Sequence, residues 1–342
     1  MLQTNSRFLF VASGHAGHGI DHLARSLILA QALADCGGAC TFIATPENTQ
    51  RLNGLSPAMA RTTSAGDTSD EICRAAARVE YDAVVIDHPG LGRTDHEALA
   101  KDRPSVILDD AADREIGGRI VVNPAMNSDP ANYKALAPES AEILTGPIFA
   151  LMSSEYAQQR LGRVFEPGSV RRLLLSIDAD TPTDLTVRMV DHLRPRLGDA
   201  TLEVLLPEDF EGRRGLDRIS ARDPRLTLNN HPLERPRIAA RADLAISAMG
   251  AGLWEASALG LPLIAVAVRP SDRETAIRLT ELEAAICIDS EDPNFESRLE
   301  RAFVRLVADL TLRAKLSANS AALTDGTGAS RIAQKLIELL PR

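Results

Sequence analysis

Short runs of apolar, β-rich residues alternate with amphipathic stretches along almost the whole chain. The apolar runs predict buried parallel strands at 8–11, 40–44, 83–86, 105–108, 120–122, 172–175, 202–206, 226–228, 244–246 and 263–266. The amphipathic stretches predict helices at 22–34, 184–193, 252–259 and 274–284, and a last helix at 330–340 follows a glycine-rich turn. Strands that alternate with helices in this way favour an α/β protein with doubly wound parallel sheets.

The segment 124–168 departs from this alternation. The apolar runs stop there, so we expect no strand, and five prolines interrupt it: Pro124, Pro130, Pro138, Pro147 and Pro167. We therefore expect one α/β domain at 1–150, a linker at 151–170, a second α/β domain at 171–325, and a terminal helix at 326–342 that packs back on the first domain. Two such sheets that face a cleft would bind ligands beyond the carboxyl ends of their strands.

Composition and charge limit the possible partners. The 342 residues are 44 % apolar and 25 % charged, which is typical of a globular protein and excludes a disordered or collagen-like chain. Lys and Arg number 38 against 47 Asp and Glu, and the formal net charge is −9. This acidic excess argues against a nucleic acid or an anionic membrane as the main partner, because phosphate binding relies on basic side chains. Aromatic residues make up only 4 %, so base-stacking surfaces are not expected.

Nothing in the sequence indicates a membrane segment or a disulfide framework. No apolar stretch reaches the ~18 residues that a membrane span needs, and the run at 8–11 is too short for the apolar core of a signal peptide. Cys36, Cys40, Cys73 and Cys287 do not follow a zinc-ligand spacing, so we expect small buried side chains in a reducing cytosol. These features predict a cytoplasmic protein.

The loop after the first strand has the composition of a ligand site. Residues 12–22 contain three glycines and the three histidines His15, His18 and His22 before a helix that carries Arg25. Glycine allows close backbone approach to a phosphate or sugar, and a helix N-terminus favours an anion. His22 and Arg25 share one helix face, so the imidazole could act as a general base while the guanidinium fixes its orientation or the substrate. The alternatives are that His22 only caps the helix, or that the histidines bind a metal.

The loop after the strand at 244–246 resembles a nucleotide-binding turn. It runs from Ser247 through Ala248, Met249, Gly250, Ala251 and Gly252 into a helix, and its small residues permit close approach to an anion. Glu255, one turn into that helix, could accept hydrogen bonds from a ribose diol. The alternative is tight helix–strand packing with Glu255 in solvent.

Two further segments offer weaker candidates. His231 lies beside Pro232 and close to Pro236, which could shape a base pocket, although a turn residue is the simpler reading. Asp87, His88 and Asp110 follow predicted strands, where carboxylates can bind sugar hydroxyls or act as acid and base. Asp110 or Asp113 could equally form a structural salt bridge with Arg114.

Taken in chain order, these loops resemble one family. The matching segments are Gly19 to Ala30, Val85 to His88, Asp109 to Arg114, Gly146 to Met152, Ser247 to Glu255 and Asp325 to Arg331. The family is UDP-2,4-diacetamido-2,4,6-trideoxy-β-L-altropyranose hydrolase of pseudaminic acid synthesis. Its fold is GT-B, with two Rossmann-like domains facing a cleft, and is similar to that of the peptidoglycan N-acetylglucosaminyltransferase.

The resemblance implies a reaction and a set of residue roles. Water would replace UDP on a UDP-linked 6-deoxy-diacetamido sugar, with neither a metal nor another cofactor. His22, assisted by Arg25, would activate the water, and Gly19, Asp21, Asp87, His88 and Asp110 would lie against the sugar. The loop 247–252 would hold the diphosphate, Glu255 the ribose, and His231 the uracil. The implied partner is a nucleotide sugar, and the oligomeric state stays open.

The chain departs from the family at three glycine positions in two segments. Asp21 replaces a glycine next to His22, and Asp178 and Ala179, followed by Asp180, replace a glycine pair near the substrate phosphates. A like charge ~5 Å away at an effective dielectric constant of ~20 repels by roughly 3 kcal/mol, about a hundredfold in affinity. Two other functions therefore stay open: a GT-B glycosyltransferase that uses an acceptor hydroxyl, and a non-catalytic sugar-nucleotide-binding paralogue.

Overall fold

The computed structural model describes residues 5–13, 22–56, 60–63, 66–163, 168–178, 181–207, 210–231 and 234–341. The chain divides into two compact units. Unit 1 comprises Met1–Ser154 and Thr327–Arg342, and unit 2 comprises Glu155–Gly326.

Unit 1 is built on a parallel sheet with the strand order β3-β2-β1-β4-β5-β6-β7. Its strands are β1 (Arg7–Ala12), β2 (Ala39–Ala44), β3 (Ala60–Thr63), β4 (Ala83–Asp87), β5 (Ser105–Leu108), β6 (Ile120–Asn123) and β7 (Glu142–Thr145). Its helices are α1 (His22–Ala34), α2 (Pro46–Leu55), α3 (Ser69–Ala76), α4 (Arg93–Ala100) and α13 (Gly328–Glu338). Short 3₁₀ turns lie at Pro130–Tyr133 and Pro147–Phe149.

Unit 2 repeats the plan with the strand order β10-β9-β8-β11-β12-β13, again all parallel. Its strands are β8 (Arg172–Ser176), β9 (Thr201–Leu205), β10 (Leu226–Asn229), β11 (Leu244–Ala248), β12 (Leu263–Ala267) and β13 (Ile286–Asp289). Its helices are α5 (Ser154–Leu161), α6 (Thr183–Leu193), α7 (Arg213–Ser220), α8 (Arg235–Ala240), α9 (Ala251–Ala258), α10 (Asp272–Glu281), α11 (Phe295–Ala308) and α12 (Leu310–Ala321). Arg194–Arg196 forms a 3₁₀ turn.

The central strands are apolar because helices cover both of their faces. All five residues of β4 are buried, as are all five of β11 and of β12. In β1, Phe8 and Phe10 point to one face and Leu9 and Val11 to the other, and they join different hydrophobic clusters. The α13 helix packs against α1 in unit 1, where its apolar side chains complete the cluster that contains Phe10.

The α/β prediction is confirmed, and all ten predicted strands are present. Three more strands were not predicted: β3, β7 and β13. Each lies at the edge of its sheet, and the side chains of β7 and β13 are mostly half-buried or exposed, so no continuous apolar run marks them. The expectation of no strand in 124–168 is wrong, because β7 lies there. In the part of the chain that the structure describes, every helix is too short or too polar to cross a membrane.

Candidate functional site

Parallel strands bring all their carboxyl ends to one edge of each sheet. In unit 1 the strand order reverses between β1 and β4, and in unit 2 between β8 and β11. Connections on either side of such a reversal leave on opposite faces of the sheet and open a crevice at the carboxyl edge. The most informative polar residues of each unit lie at these two positions.

In unit 1 the first turn of α1 carries three polar side chains that converge on Asp87. His22, Arg25 and Ser26 are spaced i, i+3 and i+4, so they share the helix face over the end of β4. His22 Nδ1 lies 2.7 Å from Asp87 Oδ1, and the Ser26 hydroxyl donates to Oδ2 at 3.3 Å. Asp87 is the last residue of β4 and is fully buried. We call His22, Arg25, Ser26, Asp87 and Asp110 the histidine cluster.

Arg25 binds two carboxylates at once. Its Nε and Nη2 donate to the two oxygens of Asp87, each at 2.6 Å, and its Nη1 and Nη2 donate to those of Asp110, each at 2.8 Å. Such paired contacts match the planar guanidinium to each carboxylate and fix its orientation. Arg25 Nη2 also lies 3.3 Å from His22 Nδ1, because both nitrogens contact Asp87 Oδ1.

The electrostatics of the histidine cluster keep Asp87 charged. Burial would raise the pKa of the Asp87 carboxyl, but the Arg25 charge and the hydrogen bonds from Arg25 and His22 lower it below its ordinary value. Burial would likewise lower the pKa of Arg25, yet Asp87 and Asp110 raise it well above its usual range. Because a carboxylate only accepts hydrogen bonds, the contact with Asp87 assigns the Nδ1–H tautomer to His22, in which Nε2 carries the lone pair.

The neighbouring carboxylate Asp109 has a structural role. It is buried and accepts hydrogen bonds from Arg114 Nη1 at 2.7 Å and from the Tyr133 hydroxyl at 2.7 Å. Burial and the Asp109 charge raise the pKa of Tyr133. Arg114 lies 3.4 Å from the exposed Asp113 as well, so the predicted salt bridge to Arg114 comes from Asp109 and Asp113, while Asp110 contacts Arg25.

His88 follows Asp87 but faces a different group. Its Nδ1 accepts the backbone N–H of Gly90 at 3.1 Å, and its Nε2 lies 3.0 Å from Asp67 Oδ2. The sequence assigned His88 to sugar binding together with Asp87 and Asp110. The structure places Asp87 and Asp110 in one cluster and His88 beside it, against Asp67.

In unit 2 the predicted nucleotide loop, Ser247 to Gly252, connects β11 to α9. Ser247, Ala248 and Met249 are buried, Gly250 precedes the first residue of α9, and Ala251 begins the helix. Gly252 packs so closely on two strand ends that a Cβ there would overlap the Ser176 hydroxyl and lie 2.8 Å from the Ser247 hydroxyl. The first turn of α9 thus lies at the carboxyl end of β11, where the Leu253 N–H donates to the Gly250 carbonyl at 3.2 Å.

Glu255, predicted to bind ribose, is paired with an arginine that sequence reasoning missed. Arg235 Nη2 donates to Glu255 Oε2 at 3.2 Å and to the Ser176 hydroxyl at 3.3 Å. Burial would lower the pKa of Arg235, but the Glu255 carboxylate leaves it above its ordinary value. Burial, with a smaller contribution from the same carboxylate, raises the pKa of Tyr156. The segment 229–236 was selected for its prolines, and the arginine inside it was the better signal.

The remaining predicted residues are placed as follows. The Asp178 carboxylate lies against Gly250 at the start of α9, and its own backbone N–H bonds to the Thr181 hydroxyl at 3.2 Å. His231 is exposed after β10. The predicted contributors Gly19 and Asp21, the candidates His15 and His18, and Asp180 lie outside the described residues. Among the residues that are described, no three His, Cys, Asp or Glu side chains come together as metal ligands.

Arg269 is a second arginine that the sequence reading missed. It follows β12, and its Nη2 donates to the Met249 carbonyl at 3.1 Å and to Asp272 at 3.0 Å. It thereby contacts the backbone of the predicted nucleotide loop directly before Gly250. Its position directly after a buried strand was the signal that could have found it.

Solved structures share this architecture over nearly its whole length. The spinosyn forosaminyltransferase SpnP matches with a TM-score of 0.66 and 14 % identity over 98 % of this chain and 99 % of its own. UGT89C1 of Arabidopsis thaliana, complexed with UDP, matches with a TM-score of 0.63 and 11 % identity over 97 % and 99 %. A UDP-N-acetylglucosamine 2-epimerase matches with a TM-score of 0.62 and 15 % identity over 98 % and 96 %. The chain matches no protein-family model and no curated protein sequence.

These likenesses, at such low identity, concern the fold. Two parallel Rossmann-like sheets, each with its polar residues at the strand-order reversal, place the chain in the GT-B fold class, as predicted. Within that class, the histidine cluster and the predicted nucleotide loop are the features from which a function is proposed.

Proposed function

We propose that the chain is a nucleotide-sugar hydrolase that releases UDP by attack of water at the anomeric carbon, with a UDP-linked 6-deoxy-diacetamido sugar as its substrate. The buried Asp87–His22 pair carries this proposal. Its 2.7 Å contact orients the imidazole, and the carboxylate is kept ionised by Arg25. A base built in this way suits the removal of a proton from a weak nucleophile.

The chemistry assigned to the histidine cluster balances in one step. His22 Nε2 takes a proton from the attacking water while the water oxygen bonds to the anomeric carbon. The bond from that carbon to the UDP oxygen breaks, and UDP leaves with the electron pair. Asp87 stabilises the imidazolium that forms, as the carboxylate of a catalytic triad does. A single displacement inverts the anomeric configuration of the sugar.

The nucleotide is assigned to unit 2. The loop from Ser247 to Gly252 would place backbone N–H groups of α9 on the diphosphate, and the Arg235 guanidinium, which donates to the Ser176 hydroxyl, would lie beside them. Glu255 would accept from the ribose. Two of the similar structures support UDP as the nucleotide, since one is complexed with UDP and the other is named for UDP-N-acetylglucosamine.

A glycosyltransferase is the second candidate, and the likeness to a forosaminyltransferase and to UGT89C1 favours it. The same base would then deprotonate an acceptor hydroxyl instead of water. The two functions differ only in the nucleophile, so the test must supply water alone and water with acceptors.

Proton and phosphorus NMR of a UDP-sugar panel tests both candidates. We expect the wild-type protein to release UDP without any acceptor, and His22→Gln to lose that activity. His192→Gln is the matched control, since His192 is a half-buried histidine that contacts Glu300 at 3.2 Å in unit 2. UDP release only with added acceptors would replace the hydrolase with the transferase. Calorimetric binding of UDP without turnover of any sugar would leave a binding protein and refute both.

A further inference from the structure

Among the described residues of the histidine cluster, Asp110 contacts Arg25. Both of its oxygens accept from the guanidinium at 2.8 Å, while the adjacent edge of the same guanidinium, which shares Nη2, binds Asp87. Four of the five guanidinium N–H groups are used in this way, and the Arg25 side chain is only 11 % exposed. Arg25 is therefore occupied within the protein and is not available to clamp a substrate phosphate.

Asp110 contributes to the net charge of the groups that lie next to His22. By formal charge Asp87 and Asp110 are negative and Arg25 is positive, so the three groups carry a net charge of −1 next to His22. Without Asp110 that net charge becomes zero, and a positive imidazolium at His22 loses part of its electrostatic support. The paired contacts also fix the plane of the guanidinium, and through it the oxygens of Asp87 that receive Nδ1–H.

Two charged groups on other elements packed against α1 are engaged elsewhere. Arg7 lies at the amino end of β1 and contacts Glu80 and Asp82. Lys335 of α13 pairs with Glu142 of β7. Among the described residues, the side-chain polar contacts of His22 go to Asp87 and Arg25.

We propose that Asp110 is a positioning residue that acts through Arg25 on the Asp87–His22 pair, and that it does not bind the sugar. This inference rests on the proposed function only where it names His22 as the base. The arrangement itself, a carboxylate that holds a guanidinium that holds a second carboxylate, follows from the four hydrogen bonds.

The closing experiment reads the His22 Nδ1–H proton directly in the free protein. Proton–nitrogen spectra of ¹⁵N-histidine-labelled protein should show this proton far downfield, assigned by its absence in His22→Gln. We expect the signal to broaden or move upfield in Asp110→Asn and in Asp110→Ser, and to persist in Asp110→Glu, which keeps the carboxylate. Asp113→Asn is the control, because Asp113 is an exposed carboxylate on the same loop.

Kinetics with a substrate found by the UDP-sugar panel then separate positioning from binding. We expect Asp110→Asn to lower kcat by about tenfold with KM nearly unchanged, and Asp110→Glu to recover most of kcat. An unchanged Nδ1–H signal in both neutral variants would overturn the proposal, and so would a raised KM at unchanged kcat. Because the spectra need no substrate, a failure to find turnover would count against the proposed function and leave this test standing.

Discussion

Replacement of Arg25 by methionine tests whether the histidine cluster is a buried ionic network. Arg25→Met keeps the length and apolar stem of the side chain and removes the charge. Asp87 would retain only His22 and Ser26 as partners while remaining fully buried. Removal of one partner from a buried ion pair typically costs about 3–5 kcal/mol, because it leaves an uncompensated charge. Asp110, which is 27 % exposed, can be hydrated and adds little to that loss.

The loss should depend on pH with a defined sign. In the wild type the pKa of Asp87 lies below its ordinary value, so its contribution to stability is complete above the unfolded-state pKa and disappears only as the pH falls through the lower, folded-state value. In Arg25→Met the buried carboxyl lacks its cation, so burial raises its pKa above the unfolded-state value. Protonation of Asp87 then removes the unpaired buried charge. The difference in unfolding free energy between the variant and the wild type therefore narrows as the pH falls from 7 to 5.

Urea unfolding followed by circular dichroism at pH 7 and pH 5 measures this difference. The control is Lys335→Met, which breaks the partly exposed pair with Glu142 and should cost about 0–1 kcal/mol. Arg25→Met combined with Asp87→Asn should be less destabilised than Arg25→Met alone, since the buried charge is gone. The ionic network would be refuted if Arg25→Met lost no more unfolding free energy at pH 7 than Lys335→Met does, and if this loss were the same at pH 5.

Three further predictions concern other parts of the fold. Gly328→Ala should lower the free energy of unfolding by about 1–3 kcal/mol, because the new Cβ would overlap the Phe149–Ala150 backbone. The control is Gly54→Ala in α2, where nothing lies near the new Cβ, so this variant should be neutral or stabilised by about 0.5 kcal/mol. Thermal unfolding compares the two variants. Burial lowers the pKa of His96 to about 4, so the unfolded state takes up a proton before the folded state as the pH falls below about 6.5. By pH 4 the wild type should therefore lose up to about 3 kcal/mol of unfolding free energy relative to His96→Gln. Denaturant titrations at a series of pH values measure this difference. Asp178→Asn should tighten UDP binding by up to about a hundredfold in calorimetry, and no gain would show that this carboxylate lies away from the phosphates.

The sequence predicted what depends on long apolar periodicity. Central strands such as β4 and β11 are buried on both faces and must be continuously apolar, so their positions could be read directly. The edge strands β7 and β13 are covered less completely, and four residues of mixed polarity carry no such pattern. The strand propensity of their residues alone cannot distinguish these two edge strands from loop segments.

The candidate site was predictable where the chemistry is local and not where it depends on distant residues. His22 and Arg25 could be paired because a helix places i and i+3 side by side. That Asp87 lies between them, and Asp110 beyond, depends on β1, β4 and β5 being neighbours in the sheet, which the sequence does not encode within any short window. Arg235 was missed for the same reason, since its partner Glu255 is 20 residues away on another helix.

The acidic excess of the chain has different consequences in the two units. In unit 1 two carboxylates share one arginine, which leaves one formal negative charge next to His22. In unit 2 Arg235 and Glu255 compensate each other, and Asp178 adds a negative charge against Gly250 at the start of α9. That charge opposes the helix N-terminus that would bind a diphosphate. The proposed diphosphate contacts lie in unit 2, so nucleotide affinity, rather than proton transfer, is the step that the Asp178 carboxylate should weaken.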